Sequence, residues 1–393
     1  MEFLIKNASV IDASQNFQGD VYIKDGIICE LGMDLKKNCE VYDAKGKTLL
    51  PAFVDIHSHF RDPGYTYKED ILSGSRAAVK GGYTTVNLMA NTNPVCSSME
   101  TVKEVINKAK DIDLADVHQV VSITNNFDGV SLNHLDKLEE SVKFISDDGK
   151  GVQDSKVMLD AMIKAKEKGL TIIAHEESDS LKDSNTRLAE NMMTWRDITL
   201  AKVTGCDLHV THVSTKEAMN DIINAKKTST NITCDVTPHH IALTDNEYKV
   251  NPPIRGEEDL KFLIKAIKDG YVDAIGTDHA PHSREDKEKG ANGISGIETS
   301  FSICYTELVK KNNVDLNKLI EIMSKNPAKI MGANKGEIKI GYDADLVVVD
   351  LDKEYEISSK QFVSKGKNTP FEGKKVYGEI LTTMKKGKIV YSV

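Results

Sequence analysis

The chain has 393 residues, with 51 lysines and arginines against 60 aspartates and glutamates, for a formal net charge of −9. That length suits one large domain with a smaller one, and the acidic balance argues against nucleic acid or an anionic membrane surface as the main partner. No apolar run approaches the roughly 18 residues of a spanning helix, and the six cysteines are scattered without a CxxC pair, so a cytoplasmic protein with reduced thiols is expected.

The opening Met1-Glu2-Phe3-Leu4-Ile5-Lys6 lacks the pattern of a signal peptide. Residues 1 to about 48 read as short strands, among them Ala8–Ile11, Val21–Ile23 and Ile27–Leu31, separated by turn signals such as Lys24-Asp25-Gly26. The C-terminus repeats that style over Ala344–Asp350, Ile380–Met384 and Ile389–Tyr391. The two ends are expected to form one β-sandwich, 1–48 with 337–393, around a central domain of 49–336.

In that central domain eight apolar, strand-like runs recur: Leu49–His57, Thr84–Asn91, His118–Ile123, Lys143–Asp148, Gly169–His175, Asp207–Val213, Ile232–Pro238 and Val272–Asp278. Helix-like spacers lie between them, including Ile71–Lys80, Thr101–Asp111, Val157–Lys168, Thr215–Lys227 and Asp259–Lys268. Eight such units in about 290 residues predict a (β/α)₈ barrel of the TIM type. A doubly wound sheet is the alternative, disfavoured by the number of units and by the lack of GxGxxG after a strand.

Barrel sites lie at the C-terminal strand ends. Those ends carry His57 and His59; Asp147-Asp148-Gly149; His175-Glu176-Glu177; His209 to His212; Thr237-Pro238-His239-His240; and Asp278-His279-Ala280-Pro281-His282. Only His118 and His134 of the 11 histidines fall elsewhere. Residues i and i+2 of a strand share a side, so His57 and His59 can aim at one point. Taken singly, Asp147-Asp148-Gly149 reads as a turn, His175 as a core histidine, and His239-His240 as one site-facing and one structural residue. Taken together, four histidines and two aspartates at successive strand ends make the donor set of a binuclear hydrolytic site. Without thiolates in the set, Zn²⁺ or another divalent ion preferring nitrogen and oxygen is expected.

These segments resemble the dihydroorotases of the amidohydrolase superfamily, in their bacterial long form. The likeness spans nearly the whole chain. It is carried by His57-Ser58-His59-Phe60-Arg61-Asp62-Pro63-Gly64, Met89-Ala90-Asn91-Thr92, Ser146-Asp147-Asp148-Gly149, His212-Val213-Ser214-Thr215-Lys216, Val250-Asn251-Pro252-Pro253-Ile254-Arg255, Thr277 to His282, and a late tag, Ser364-Lys365-Gly366-Lys367-Asn368-Thr369-Pro370-Phe371.

The resemblance implies reversible, zinc-dependent hydrolysis of (S)-dihydroorotate to N-carbamoyl-L-aspartate in pyrimidine (UMP) biosynthesis. His57, His59 and Asp278 would hold one zinc ion and His175 and His212 a second. Asp148 would bridge them where many relatives carry a carboxylated lysine. Asp278 would be catalytic, as proton shuttle. His59, Arg61, Asn91, Asn251, His282, Asn292 and Gly293 would bind the small-molecule substrate. A homodimer and an association with aspartate transcarbamoylase are further expectations. Three departures stand out: Ala90 where the family often has Pro, Asn292 where it has Phe, and a short segment Glu177–Thr204. The rival readings are a dihydropyrimidinase (hydantoinase) or allantoinase, which usually keep the bridging lysine and lack Arg-Asp-Pro-Gly, and a non-catalytic partner of aspartate transcarbamoylase, which would have lost metal donors.

Overall fold

The structure is a computed structural model and describes residues 2–228 and 231–393. Among the described residues, eight short parallel strands form a barrel: Phe53–Ser58, Tyr83–Leu88, Asp116–Gln119, Phe144–Ile145, Thr171–Ala174, Asp207–Val210, Ile232–Val236 and Ala274–Ile275. The first three and the last five pair as two arcs. Single bridges, Ser58 to His279 and Val121 to Ile145, close the ring. Each strand overlaps one of the eight apolar runs, the third only at His118 and Gln119. Val54, Ile56, Ile172, Ile173 and Val236 are all buried, because parallel strands are covered on both faces, and their sequences run apolar without alternation.

One run proves to be two strands. Thr48–Pro51 pairs with Glu2–Ile11 on one side and Leu346–Glu356 on the other, while Phe53–Ser58 opens the barrel. Thr48–Pro51 thus joins the two chain ends into one sheet of eight strands among the described residues. Alternation decides which way each side chain points. Leu49, Leu346 and Val348 enter the sheet's own core with Phe3, Ile5, Val10, Val21 and Ile23. Leu50, Val347, Val349 and Ile380 join the barrel's core instead.

The helix Ile71–Lys80 has the predicted bounds. Asp70 accepts from the Ser73 N–H, and the Ser73 hydroxyl returns to the Asp70 N–H, a reciprocal cap that satisfies two end donors. Met99–Ile112, Ser155–Lys168, Lys216–Lys226 and Glu257–Lys268 lie within two residues of the spacers. Two features differ from expectation. After the third barrel strand the chain makes only short turns, Asn125–Phe127 and Asn133–Lys137, in a stretch dense in Asn, Asp and Gly that favours turns. In addition, Thr186–Thr204 is a helix that the spacing does not predict. Among the described residues, no helix is long and apolar enough to cross a membrane.

Candidate metal centre

Backbone pairing sets the site. The Asp278 N–H donates to the His57 carbonyl at 3.0 Å and the His59 N–H to the His279 carbonyl at 2.8 Å, so the ends of the first and last barrel strands lie side by side. Asp55, buried in the first strand, reinforces the seam by accepting from the Thr277 N–H at 2.9 Å and the Thr277 hydroxyl at 2.5 Å. His57, His59 and Asp278 are thereby brought together. The Nε2 atoms of the two histidines are 3.2 Å apart, and Asp278 Oδ1 lies 3.1 Å from His59 Nε2 and 3.6 Å from His57 Nε2.

His175 and His212, at the ends of the neighbouring fifth and sixth strands, form a second pair, with Nδ1 of the first 3.0 Å from Nε2 of the second. Asp148, at the end of the fourth strand, sits between the pairs. Its Oδ1 is 3.4 Å from both His57 Nε2 and His175 Nδ1 and 3.8 Å from His212 Nε2, and its Oδ2 is 3.6 Å from His59 Nε2. Asp147 does something else. It accepts from the Ile123 and Thr124 N–H groups and ties down a loop. Arg61, His212 and Asp278 hold positive φ, at 59°, 38° and 44°, backbone strain of the kind that collects at functional sites.

The donor set fits a metal. Asn91 donates its amide to Asp148 Oδ2 at 3.0 Å, which leaves its oxygen to accept from His59 Nδ1 at 2.9 Å. His59 therefore carries its proton on Nδ1 and turns a bare Nε2 toward His57 Nε2 and two carboxylates. Nitrogens about 3.3 Å apart form the edge of a tetrahedron with zinc–nitrogen bonds of about 2.0–2.1 Å. Burial disfavours a charged ring, yet Asp148, Asp278 and Asp235 together outweigh it and raise His57 to about 9. Against the same burial, Asp148 and Glu177 raise His175 to about 10. Asp148 itself is held well below the usual carboxylate range, the histidines outweighing its burial. This pocket calls for positive charge.

A cavity of about 240 Å³ opens on this cluster, lined by His59, Arg61, Asn91, Asp148, His175, His212, Asn251, Asp278, His282, Asn292 and Gly293. All the predicted substrate contacts therefore share one wall with the donors, and of the predicted site only His57 lies behind it. Asn251 Nδ2 is 3.4 Å from His175 Nε2. Gly293 has φ 138°, and a Cβ there would lie 2.5 Å from the Ala280 carbonyl oxygen, so no other residue fits. Arg61 reaches the Pro281 carbonyl at 3.4 Å and His282 Nε2 at 3.3 Å, and among the described residues it has no carboxylate partner. His282, half enclosed by Arg61 and by Lys68 at 3.4 Å, is driven down to about 3 by burial and these two cations. It is a neutral ring.

His239 and His240 do not line the cavity. His240 bonds Thr237 Oγ1 at 2.8 Å and the Pro252 carbonyl at 3.0 Å, and so holds the loop that carries Asn251. The sequence assigns no site role to Asp55, Thr211, Asp235 or Asn368, although Thr211 and Asn368 lie within motifs that it singles out. For the two aspartates a signal existed: each is a lone acid inside an apolar strand, Val54-Asp55-Ile56 and Cys234-Asp235-Val236. A charge placed there must be partnered.

A model of the amidohydrolase family matches residues 48–390. Over the full length of both chains, the sequence is 57% identical to a protein named dihydroorotase from Clostridium botulinum (strain Eklund 17B / Type B). It is 40% identical to a dihydroorotase of Lactobacillus leichmannii, covering 100% of this chain and 98% of that one. Among solved structures, the L-hydantoinase (dihydropyrimidinase) from Arthrobacter aurescens superposes with a TM-score of 0.92 at 26% identity, over 99% of this chain and 96% of that chain. D-hydantoinase (dihydropyrimidinase) from Thermus sp. superposes with a TM-score of 0.88 at 27% identity, over 100% and 96%. Such membership implies a bound metal, which the convergent His and Asp groups can hold. The chain belongs to the amidohydrolase family.

Proposed function

We infer that this protein is a dihydroorotase, opening and closing the ring of dihydroorotate and N-carbamoyl aspartate. The full-length relatives bearing that name support the reading. The observation that carries it is Arg61, a guanidinium lining the cavity with no protein carboxylate to pair with. Dihydroorotate brings that carboxylate, whereas hydantoin, dihydrouracil and allantoin do not. The hydantoinases share the barrel at 26–27% identity, but their ring would leave this cation unmatched. A silent partner of aspartate transcarbamoylase has no use for six convergent donors.

In this reading His57, His59 and Asp278 would hold one zinc ion and His175 and His212 another, with Asp148 as the donor that would be shared. When bound, the metal supplies Lewis acidity, polarising the ring carbonyl and acidifying water. The protein's own groups do the rest. Arg61, Asn91 and Asn251 fix the ring, the guanidinium gripping the carboxylate. Water adds its oxygen to the carbonyl carbon and the ring C–N bond breaks. Asp278 takes the proton from the attacking water and returns it to the departing nitrogen, acting as base and then acid. Its Oδ1 faces the histidines, which leaves the other oxygen for this transfer.

The test is to incubate the zinc-loaded protein with dihydroorotate, hydantoin and dihydrouracil and to assay the ring-opened products. Carbamoyl aspartate should form far faster than either other product. Faster turnover of hydantoin would overturn the reading.

A further inference from the structure

His57 meets the cluster through Nε2, and its other nitrogen faces away into the barrel. That Nδ1 lies 2.5 Å from Thr211 Oγ1. The Thr211 hydroxyl lies 2.8 Å from Asp235 Oδ2. A carboxylate only accepts, so the hydroxyl's single proton goes to Asp235 and its oxygen accepts from His57 Nδ1–H. The direction of the chain is thereby fixed: Thr211 holds the Nδ1 proton, so Nε2 is the nitrogen available to bind a metal.

Asp235 is fully buried and serves more than this one contact. Its Oδ2 also meets His209 Nε2 at 2.9 Å, and His209 Nδ1 meets the Thr233 hydroxyl at 2.8 Å. Its Oδ1 accepts from the backbone N–H of His212 at 2.7 Å, where φ is 38°. The neighbouring strand leaves room for it. At Gly276 a Cβ would stand 2.9 Å from the carboxylate carbon of Asp235. One carboxylate thus reaches both halves of the donor cluster from behind, His57 through a hydroxyl and His212 through its main chain.

We propose that Asp235 and Thr211 are positioning residues for the metal centre, setting the tautomer of His57 and the backbone of His212 and thereby the affinity for metal. This rests on the metal site described above. Groups that orient ligating histidines typically contribute about 10–100-fold in metal affinity, which gives the inference a scale.

Thr211→Val removes the hydroxyl and keeps the shape, and Thr211→Ser restores the hydroxyl. Zinc affinity of the full chain is measured by competition with a chromophoric chelator, alongside the ring ¹⁵N shifts of His57 and the melting midpoint of the metal-free protein. Expected are a 10–100-fold loss of zinc affinity in Thr211→Val, a change in the His57 tautomer signature, and recovery of both in Thr211→Ser. Asp235→Asn should lose at least as much, and the threonine pair decides the matter if that variant does not fold. A Thr211→Val protein that melts lower but binds zinc as tightly as the wild type overturns the proposal and leaves a purely structural role. A wild type that binds no zinc overturns the metal reading itself, a separate result.

Discussion

In the proposed function Arg61 takes the substrate carboxylate and Asp278 moves the proton, and each role can be tested alone. Arg61 is no metal donor, so Arg61→Met should keep the fold and the zinc content. It should lower kcat/KM for dihydroorotate by about 100-fold, roughly 3 kcal/mol on the rate scale, while any trace rate on uncharged dihydrouracil stays in place. Equal losses on both substrates would make Arg61 structural. Asp278→Asn should lower turnover about 100-fold or more, the scale of a lost acid–base group, and should do so in ring opening and ring closure alike. A variant slow in one direction only would assign the proton transfer elsewhere. The candidate donors could be picked out of the sequence because they recur at successive strand ends, whereas Arg61 and the role of each donor come from the resemblance. Asn91, which turns His59 and holds Asp148, has a role that depends on two strands far away in sequence, and no local pattern encodes it.

At the scale of elements, Lys335 joins the barrel to the terminal sheet. Its buried ammonium bonds Asp116, at the start of the third barrel strand, at 2.7 Å, and Asp345, just before Leu346–Glu356, at 2.6 Å. Asp345 is fully buried. Lys335→Met would leave that charge without its cation, held among the described residues only from the Lys386 N–H side, and a buried pair broken on one side costs about 3–5 kcal/mol, to be read as a lower denaturant midpoint. Burial raises Asp116, but Lys335 and Lys385 overcome it and lower its pKa from 3.8 to about 2. A depressed folded pKa stabilises above the unfolded value, so this contribution is present at neutral pH and is lost as pH falls from about 4 to about 2. Wild type should show that loss in acid unfolding, and Lys335→Met should show less of it. An unchanged acid profile would remove Lys335 from the account.

The same scale explains which helices could be read. Ile71–Lys80 announces itself with a cap and an apolar face. Thr186–Thr204 reverses the usual pattern, exposing Leu188, Met192, Trp195 and Val203 and burying Glu190, Thr194 and Asp197. Glu190 is inside because it accepts from the Ser214 and Thr215 N–H groups at the start of the next helix, at 2.8 and 3.1 Å. A periodicity search looks for a continuous apolar inner face, and here Ala189, Met193, Ile198 and Ala201 share that face with Glu190, Thr194 and Asp197 while large apolar residues point outward.

For the whole molecule, the late tag of the sequence lies across the top of the barrel. Asn368 accepts from the His282 N–H at 2.9 Å and from the Ser295 hydroxyl at 2.8 Å, and it donates to the Gly293 carbonyl at 2.9 Å. Ser364 bonds the buried Glu69, and the Lys365 ammonium bonds Asp70. Asn368→Ala should release His282 and Gly293 from each other. At about 1 kcal/mol per net hydrogen bond, kcat/KM should fall by about tenfold, with zinc content unchanged. Loss of zinc in that variant would show the tag acting on the donors instead. The barrel could be read from strand runs of consistent length, and the pairing of the chain ends from their shared style. Where the tag lands is set by contacts between residues some 75 to 300 positions apart, beyond any local rule.

The insertion of Thr48–Pro51 between the first and the late strands has a further consequence, in time and not in space. Every donor is encoded by residue 278, yet one edge of Thr48–Pro51 waits for Leu346–Glu356. Domains made of contiguous chain can fold as they leave the ribosome. Here the emerging polypeptide carries an unpaired, apolar strand edge through most of its synthesis, the kind of surface that recruits other chains. A ribosome stalled past the barrel would hold all the chemistry and none of the closure, so the last stretch of translation both protects the protein and completes it.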